Sequence, residues 1–304
     1  MGKLVRMIDE EGTLSVIAAD STDIVREMRS IHGTSKVCSA ALGRMLTAAT
    51  MMGSTLKGKD DSITVKINGG GPCGTVLAVS DSDGNVRGCI GKADISLPLN
   101  KKGKLDVAGA VGKNGFVTVI KDLGLKEPYI GKTPIVSGEI AEDITSYYAV
   151  SEQIPTVCAL GVLTEHDNGE IICAGGFMIQ LLPTADDTII ERVEESIKTC
   201  RPSQNAFRRY DSRRICKRHS QNSTCSCLTK RIQALSLHMT RVKEYEKAHH
   251  RTGRAVSRRW LRMKPQRLSA TSAIKNIISQ KRDSKNAQRV LKSNSQAHKR
   301  PIRQ

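Results

Sequence analysis

Apolar residues recur at three- and four-residue steps along "HGTSKVCSAALGRMLTAATMMGSTLKG" (32–58), where Cys38, Ala41, Leu42, Met45, Ala49, Met52 and Leu56 fall on one face. The spacing predicts a helix capped by Thr34 or Ser35 and ended by Lys57-Gly58. The stripe is built of small residues and methionines. Ordinary core packing explains it, and so does a close helix–helix or dimer contact, which makes residues 38–56 a candidate partner surface.

A period of two follows. Ile63, Val65 and Ile67 alternate with polar residues, "NGGGP" turns the chain, "TVLAVS" is a second strand, "DSDGN" a hairpin turn and "VRGCIG" a third strand. "GFVTVIKD" (115–122) alternates again, after a Lys- and Gly-rich stretch, 100–115, that reads as a long exposed connection. "SGEIAEDITSYYAVSEQIP" (137–155) predicts a helix with Ser137 as cap and Ile140, Ile144 and Tyr147 or Tyr148 inward. "TVCALGVL" and "EIICAGGFMIQLLP" flank "TEHDNGE", a hairpin signal, and Gly175-Gly176 predict a bulge or a close backbone approach. "TADDTIIERVEESI" (184–197) opens a third helix through Thr184 and Asp187, with Ile189, Ile190, Val193 and Ile197 on its apolar face. Runs of strands with separate helices predict an α+β fold of mixed or antiparallel sheets with packed helices.

The pattern then stops. In "IIERVEESIKTCRPSQNAFRRYDSRRICKRH" the helical period ends near Lys198 and a run of arginines with no apolar face begins. Charge divides at the same place. Residues 1–198 hold 20 Lys+Arg against 26 Asp+Glu, a net of −6, whereas 199–304 hold 28 against 4, a net of +24. The organisation expected is a self-burying domain, 1–198, and a largely disordered basic tail, 199–304. The amino terminus lacks the apolar stretch of a signal peptide, and no run reaches the ~18 apolar residues of a membrane span, so a cytoplasmic chain without membrane partners is expected.

The candidate chemistry is sparse. "GGGPCG" (69–74) lacks the Gly-Lys-Ser/Thr and following helix of a phosphate loop, so a tight turn is expected instead. Before position 200 the histidines are His32 and His166, and neither forms a recognisable nucleophile pair with a cysteine. Asp60-Asp61 and Asp186-Asp187 read as turn and helix-start residues. Cys38, Cys89, Cys158 and Cys173 sit in apolar runs as small buried hydrophobes. In the tail, Cys216, His219, Cys225 and Cys227 are four soft ligands that zinc would accept, but Arg and Lys crowd them and no hydrophobic shell surrounds them. Phe207, Tyr210, Tyr245 and Trp260 are scattered through the tail, which predicts non-specific, salt-sensitive nucleic-acid binding and no specific nucleic-acid partner. No catalytic, cofactor-binding or metal-ligating residue is assigned.

"STLKGKDDSITVKINGGGPCGTVLAVSDSDGNVRG" (54–88), "AVGKNGFVTVIKD" (110–122), "YYAVSEQIPTVCALGVL" (147–163) and "CAGGFMIQLLP" (173–183), in that order, resemble successive signatures of the redox-regulated heat-shock chaperonin family of thirty-three kilodaltons. The resemblance implies a non-enzymatic, ATP-independent holdase whose partners are unfolded client proteins and a second copy in a homodimer. It also implies a carboxyl-terminal zinc domain with Cys-x-Cys and a later Cys-x-x-Cys, in which oxidation replaces zinc ligation by disulfides. This chain has "CSC" (225–227) but no Cys-x-x-Cys anywhere, so the zinc ligands are not carried over and the redox switch is expected to be lost. A shift of reading frame shortly after Ile197 would produce such a change of character, and resequencing the coding DNA across that codon tests it. The alternatives are a basic nucleic-acid-binding protein acting through 199–304 and an enzyme using Cys73 or another single thiol.

Overall fold

The computed structural model describes residues 2–9, 11–101, 103–165, 167–186, 188–189, 193 and 239–246. Two antiparallel five-stranded sheets and four α-helices make up these residues, so the α+β class holds, with no parallel pairing in either sheet. The first sheet contains β1 (Lys3–Asp9), β2 (Leu14–Asp20), β8 (Thr156–Thr164), β9 (Ile171–Leu181) and β10 (Met239–Glu246), in the order β10-β1-β2-β9-β8. The second contains β3 (Ser62–Gly70), β4 (Val76–Asp81), β5 (Val86–Ile90), β6 (Gly112–Asp122) and β7 (Tyr129–Pro134), in the order β5-β4-β3-β6-β7. The helices are α1 (Thr22–His32), α2 (Cys38–Gly53), α3 (Val107–Val111) and α4 (Ala141–Tyr147), the last continuing into a π-helical turn at Tyr148–Glu152.

The core is organised around α2. All 16 of its residues are buried, and it packs on strands of both sheets. Its small residues make this possible: a Cβ on Gly53 would stand 2.4 Å from Ser80 Oγ and 2.6 Å from the Asp81 carbonyl. The stripe over 38–56 is therefore core, and the alternative of a free partner surface is corrected. A helix touched on every side has no face left to offer.

Alternation correctly located β3, β4, β5 and β6, because among the described residues only one face of the second sheet is covered: Ile63, Val65, Ile67, Val76, Ala78, Val117 and Val119 point inward and are buried. The stretch 100–115 departs from a purely exposed connection, since Val107, Ala110 and Val111 of α3 are buried against α2. Ser137 does not cap α4. The Asp143 carboxylate does, accepting the amides of Val136, Ser137, Gly138 and Ile140 at 2.9, 2.9, 3.3 and 2.9 Å. That cluster of four amides holds buried Ile140 at φ 65°, a left-handed conformation that branched side chains rarely adopt. Gly175 and Gly176 mark close approach: a Cβ on either would stand 2.5–2.6 Å from the Ala19 or Ala159 carbonyl.

Asp186 caps the start of the segment after β9, and Asp187 of the expected Thr184/Asp187 pair lies outside the described residues. Asp186 Oδ1 accepts the Ile189 amide at 3.0 Å and the Thr188 hydroxyl at 2.8 Å, while Thr184 Oγ1 donates to the Gly12 carbonyl at 2.8 Å. Most of the predicted 184–197 helix lies outside the described residues, but Ile189 and Val193 are buried as expected. Beyond 198, where no ordered element is expected, Met239–Glu246 pairs antiparallel with β1. Thr240 and Val242 give this stretch the β-branched character of a strand, and β1 supplies an edge for it.

Candidate functional site

A redox or metal site of the kind implied by the family resemblance would be built from thiols. Cys38, Cys73 and Cys158 are buried and Cys89 and Cys173 half-buried, none in a disulfide. Burial pushes Cys73 and Cys158 up to about 12, Cys89 and Cys173 up to about 11, and raises Cys38 as well. Metal ligation and attack on peroxide both require the thiolate, which these surroundings oppose. The thiols come from α2, the turn after β3, β5, β8 and β9, and only Cys38 and Cys73 are neighbours, both bonded to the Lys92 backbone. Among the described residues, no three His, Cys, Asp or Glu side chains stand together to hold a metal. The described cysteines do not fit a zinc site. Cys200, Cys216, His219, Cys225 and Cys227 lie outside the described residues, as does His166.

The "GGGPCG" loop is a crossing point, as the missing Lys implies. Its amides are already engaged: Gly70 N–H with Asn68 Oδ1, Gly71 N–H with the Val111 carbonyl, Cys73 N–H with Ala110 and Gly74 N–H with Gly71, each at 3.0 Å. A Cβ on Gly69 or Gly71 would fall 2.1–2.4 Å from backbone oxygens of the α3–β6 junction. Anions find no free donors there. Asp61 behaves as a turn residue, accepting the Gly58 amide at 2.7 Å. The amide of Ile189 and the hydroxyl of Thr188 hold Asp186 below the usual carboxylate range.

What remains is surface for contact with other chains. The two sheets differ in how their outer faces are treated. On the first, Val5, Met7, Leu14, Val16, Val157 and Ile179 form a second apolar cluster closed by Ile189 and Val193. On the second, no helix among the described residues packs on the face turned away from α2. Register places Ile120 opposite Ile130 and Phe116 opposite Pro134 on that face. Ile130 is 59% and Phe116 46% exposed, and Leu125 in the β6–β7 turn reaches 69%. Lys132 lies 4.0 Å over the Phe116 ring, so the patch is apolar with a cationic margin. Exposed apolar residues grouped in this way mark an interaction surface. No sequence signal marked it, because the same alternation describes a sheet face that is solvated and one that is used.

The match to known proteins fits this arrangement of two sheets around a buried helix. The family model described as Hsp33 protein matches residues 2–245. The chain belongs to the Hsp33 family. The 33 kDa chaperonin of Acetivibrio thermocellus is 51% identical over 199 residues, covering 66% of this chain and 67% of that one. That of a Geobacillus species is 49% identical over 199 residues, with the same shares of each chain. The crystal structure of the Thermotoga maritima 33 kDa chaperonin (heat shock protein 33 homolog) superposes with a TM-score of 0.70 at 28% identity, covering 92% of this chain and 99% of that one. Hsp33 proteins are chaperones of a redox-regulated, zinc-binding, non-enzymatic family, so the reading of this chain as a non-enzyme stands. Both sequence matches run for about the length of the acidic portion before the seam at 198. No helix among the described residues is long and apolar enough to cross a membrane.

Proposed function

We propose that this Hsp33 chain is an ATP-independent holdase that captures unfolding or oxidatively damaged proteins, with its redox switch lost. The observation that carries the reading is the apolar face of β6 and β7, centred on Ile130 and Phe116 and exposed among the described residues, on a family scaffold whose described thiols are buried or half-buried. Clients that expose apolar side chains on unfolding supply the complementary surface. Loss of the switch is supported by sequence chemistry: Cys225 and Cys227 stand in the spacing of the first ligand pair, and no Cys-x-x-Cys follows to supply the second. The family's zinc is therefore not assigned to any residue of this chain, and the homodimer, the cytoplasmic setting and the division at residue 198 are part of the same proposal.

The test is light scattering of a heat-denatured client with the purified full chain, without nucleotide, before and after peroxide. Suppression of aggregation that is equal in both conditions supports the reading. Strong dependence on peroxide shows that Cys200, Cys216, Cys225 and Cys227 form a working switch, and no suppression in either condition removes the holdase assignment. The charge of the tail favours one additional activity, non-specific nucleic-acid binding. It would show a steep fall of affinity with salt, abolished by deleting 199–304.

A further inference from the structure

Charge on the outer face of the second sheet is arranged in rows. Side chains on one face of a strand recur about every 7 Å, and neighbouring strands lie about 4.8 Å apart. The register therefore sets three rows across β3, β6 and β7. Thr64, Ile120 and Ile130 form the first, Lys66, Thr118 and Lys132 the second, and Asn68, Phe116 and Pro134 the third. A cationic row lies between two rows that carry apolar side chains.

The middle row offers donors and no acceptor charge. Lys66 and Lys132 flank Thr118, two strands and so about 10 Å apart at the backbone. Among the described residues, no carboxylate pairs with either ammonium, and the Thr118 hydroxyl has no hydrogen-bond partner. The outward carboxylates of the sheet, Asp81 and Asp122, stand opposite Ser62 at one end of the face. Each is held by its own turn: Asp81 accepts the Asn85 amide at 2.9 Å and Nδ2 at 2.7 Å, and Asp122 accepts the Gly124 amide at 3.2 Å. The remaining outward cation, Arg87, ends the first row on β5.

We propose that this face recognises extended client segments in which a carboxylate is flanked, two residues away on each side, by apolar side chains. An extended chain repeats its own facing positions about every 7 Å, so such a segment meets the three rows in step. Its apolar groups rest on Ile120 with Ile130 and on Phe116 with Pro134, while its carboxylate sits between Lys66 and Lys132 above Thr118. The pattern is symmetric, so the segment is accepted in either direction. The proposal rests on the chaperone reading and names the class of client that the face selects. A peptide suits the rows better than a nucleic acid does, because Phe116 is their single aromatic ring and Lys132 already lies over it.

The experiment measures anisotropy of dye-labelled dodecapeptides on the full chain, with an uncharged dye at low ionic strength. Two isomers of one composition are compared, Leu-Ser-Glu-Ser-Leu and Leu-Glu-Ser-Ser-Leu, each within the same Gly/Ser flanks. Their net charge is equal, so attraction to the basic residues beyond 198 cancels. The alternating isomer should bind about threefold more tightly. Lys66→Glu with Lys132→Glu, both at exposed positions, should abolish that preference and favour the alternating peptide with Lys in place of Glu. Equal or undetectable affinities for the two isomers, or a preference that survives the double variant, overturn the proposal; suppression of client aggregation by the same parent preparation then leaves the holdase reading intact. An oligothymidylate whose affinity falls in the double variant while the peptides' does not reassigns the row to nucleic acid and overturns it too. A parent chain that suppresses no aggregation overturns both readings.

Discussion

Arg44 gives the sharpest test of how the core is held. Its side chain is fully buried in the middle of α2, and Nη1 reaches Glu139 Oε2 at 2.7 Å and the Glu139 carbonyl at 3.0 Å. Nε and Nη2 have no partner. Burial lowers the guanidinium's proton affinity, opposed by the charge of Glu139 and its hydrogen bond. Glu139→Ala leaves a buried cation with its carboxylate gone, a change that costs about 3–5 kcal/mol for buried pairs. Since Glu139 keeps 18% exposure, the lower end applies, about 3 kcal/mol. A protein of this size should then lose roughly 6–12 °C in Tm, at about 2–4 °C per kcal/mol. Arg44→Met removes the charge together with its two orphaned nitrogens and fills the space with thioether. It should fall within about 1 kcal/mol of the parent or exceed it. Adding Glu139→Ala to Arg44→Met should then cost little, so a double-mutant cycle in urea yields a coupling of about 2–3 kcal/mol. If Arg44→Met is as damaging as Glu139→Ala, the pair is not an electrostatic compromise but a packing element, and the reasoning fails.

Three further outcomes are expected. Cys158 has a folded-state value near 12 against 9.0 for an ordinary thiol, so its stabilising contribution is complete below pH 9 and lost as pH rises towards 12; Cys158→Ala should flatten the decline of urea midpoint over that window, and an unaltered decline refutes the assignment. Ile130→Asp, on the open face of the second sheet, should leave stability within about 0.5 kcal/mol yet weaken suppression of client aggregation, whereas full retention of holding moves the client surface elsewhere. Gly53→Ala gains about 1 kcal/mol of helix preference but drives a Cβ against Ser80 and the Asp81 carbonyl, so overpacking of about 1–3 kcal/mol should leave a net loss in thermal unfolding; a more stable variant shows that the α2–β4 contact yields.

The parts of the fold that could be read from sequence are those with one wet face. β3 and β6 alternate because α2, α3 and α4 pack on one side of their sheet and, among the described residues, nothing packs on the other. β2 lacks that signature: in "LSVIAAD", all but Ser15 are buried, because Ile189 and Val193 close the far side. β7 is hidden for another reason. Its inward positions are Gly131 and Thr133, and Gly131 lies so close to Tyr147 that a Cβ would stand 2.7 Å from the ring. α2 was recognised from its stripe, but its completeness was not, since Ala, Ser, Thr and Gly carry little hydrophobic signal and Arg44 reads as a solvent-facing residue. The candidate client surface was illegible in principle: Phe116, Ile120 and Ile130 occupy the polar phase of their strands, where scattered apolar residues are common.

The distribution of cysteines constrains any redox response. A thiol is oxidised by peroxide as its thiolate, and each of the five described thiols is held protonated by burial. With values near 11–12, a thiol at neutral pH is ionised on the order of once in ten thousand molecules or less. Oxidation of the folded domain is therefore slow, and at buried Cys38, Cys73 and Cys158 it proceeds through opening, at a rate that should follow local stability. Any fast peroxide response must come from the four cysteines beyond position 198, which sit among arginines and lysines that favour thiolates. The two sets are separable by kinetics. Fast modification by a thiol reagent should involve at most those four groups, and the remaining five should react at a rate that rises with urea and with Glu139→Ala. Five fast groups or more would mean that burial does not protect the domain's thiols, and redox control could then reside in the folded part of the chain itself.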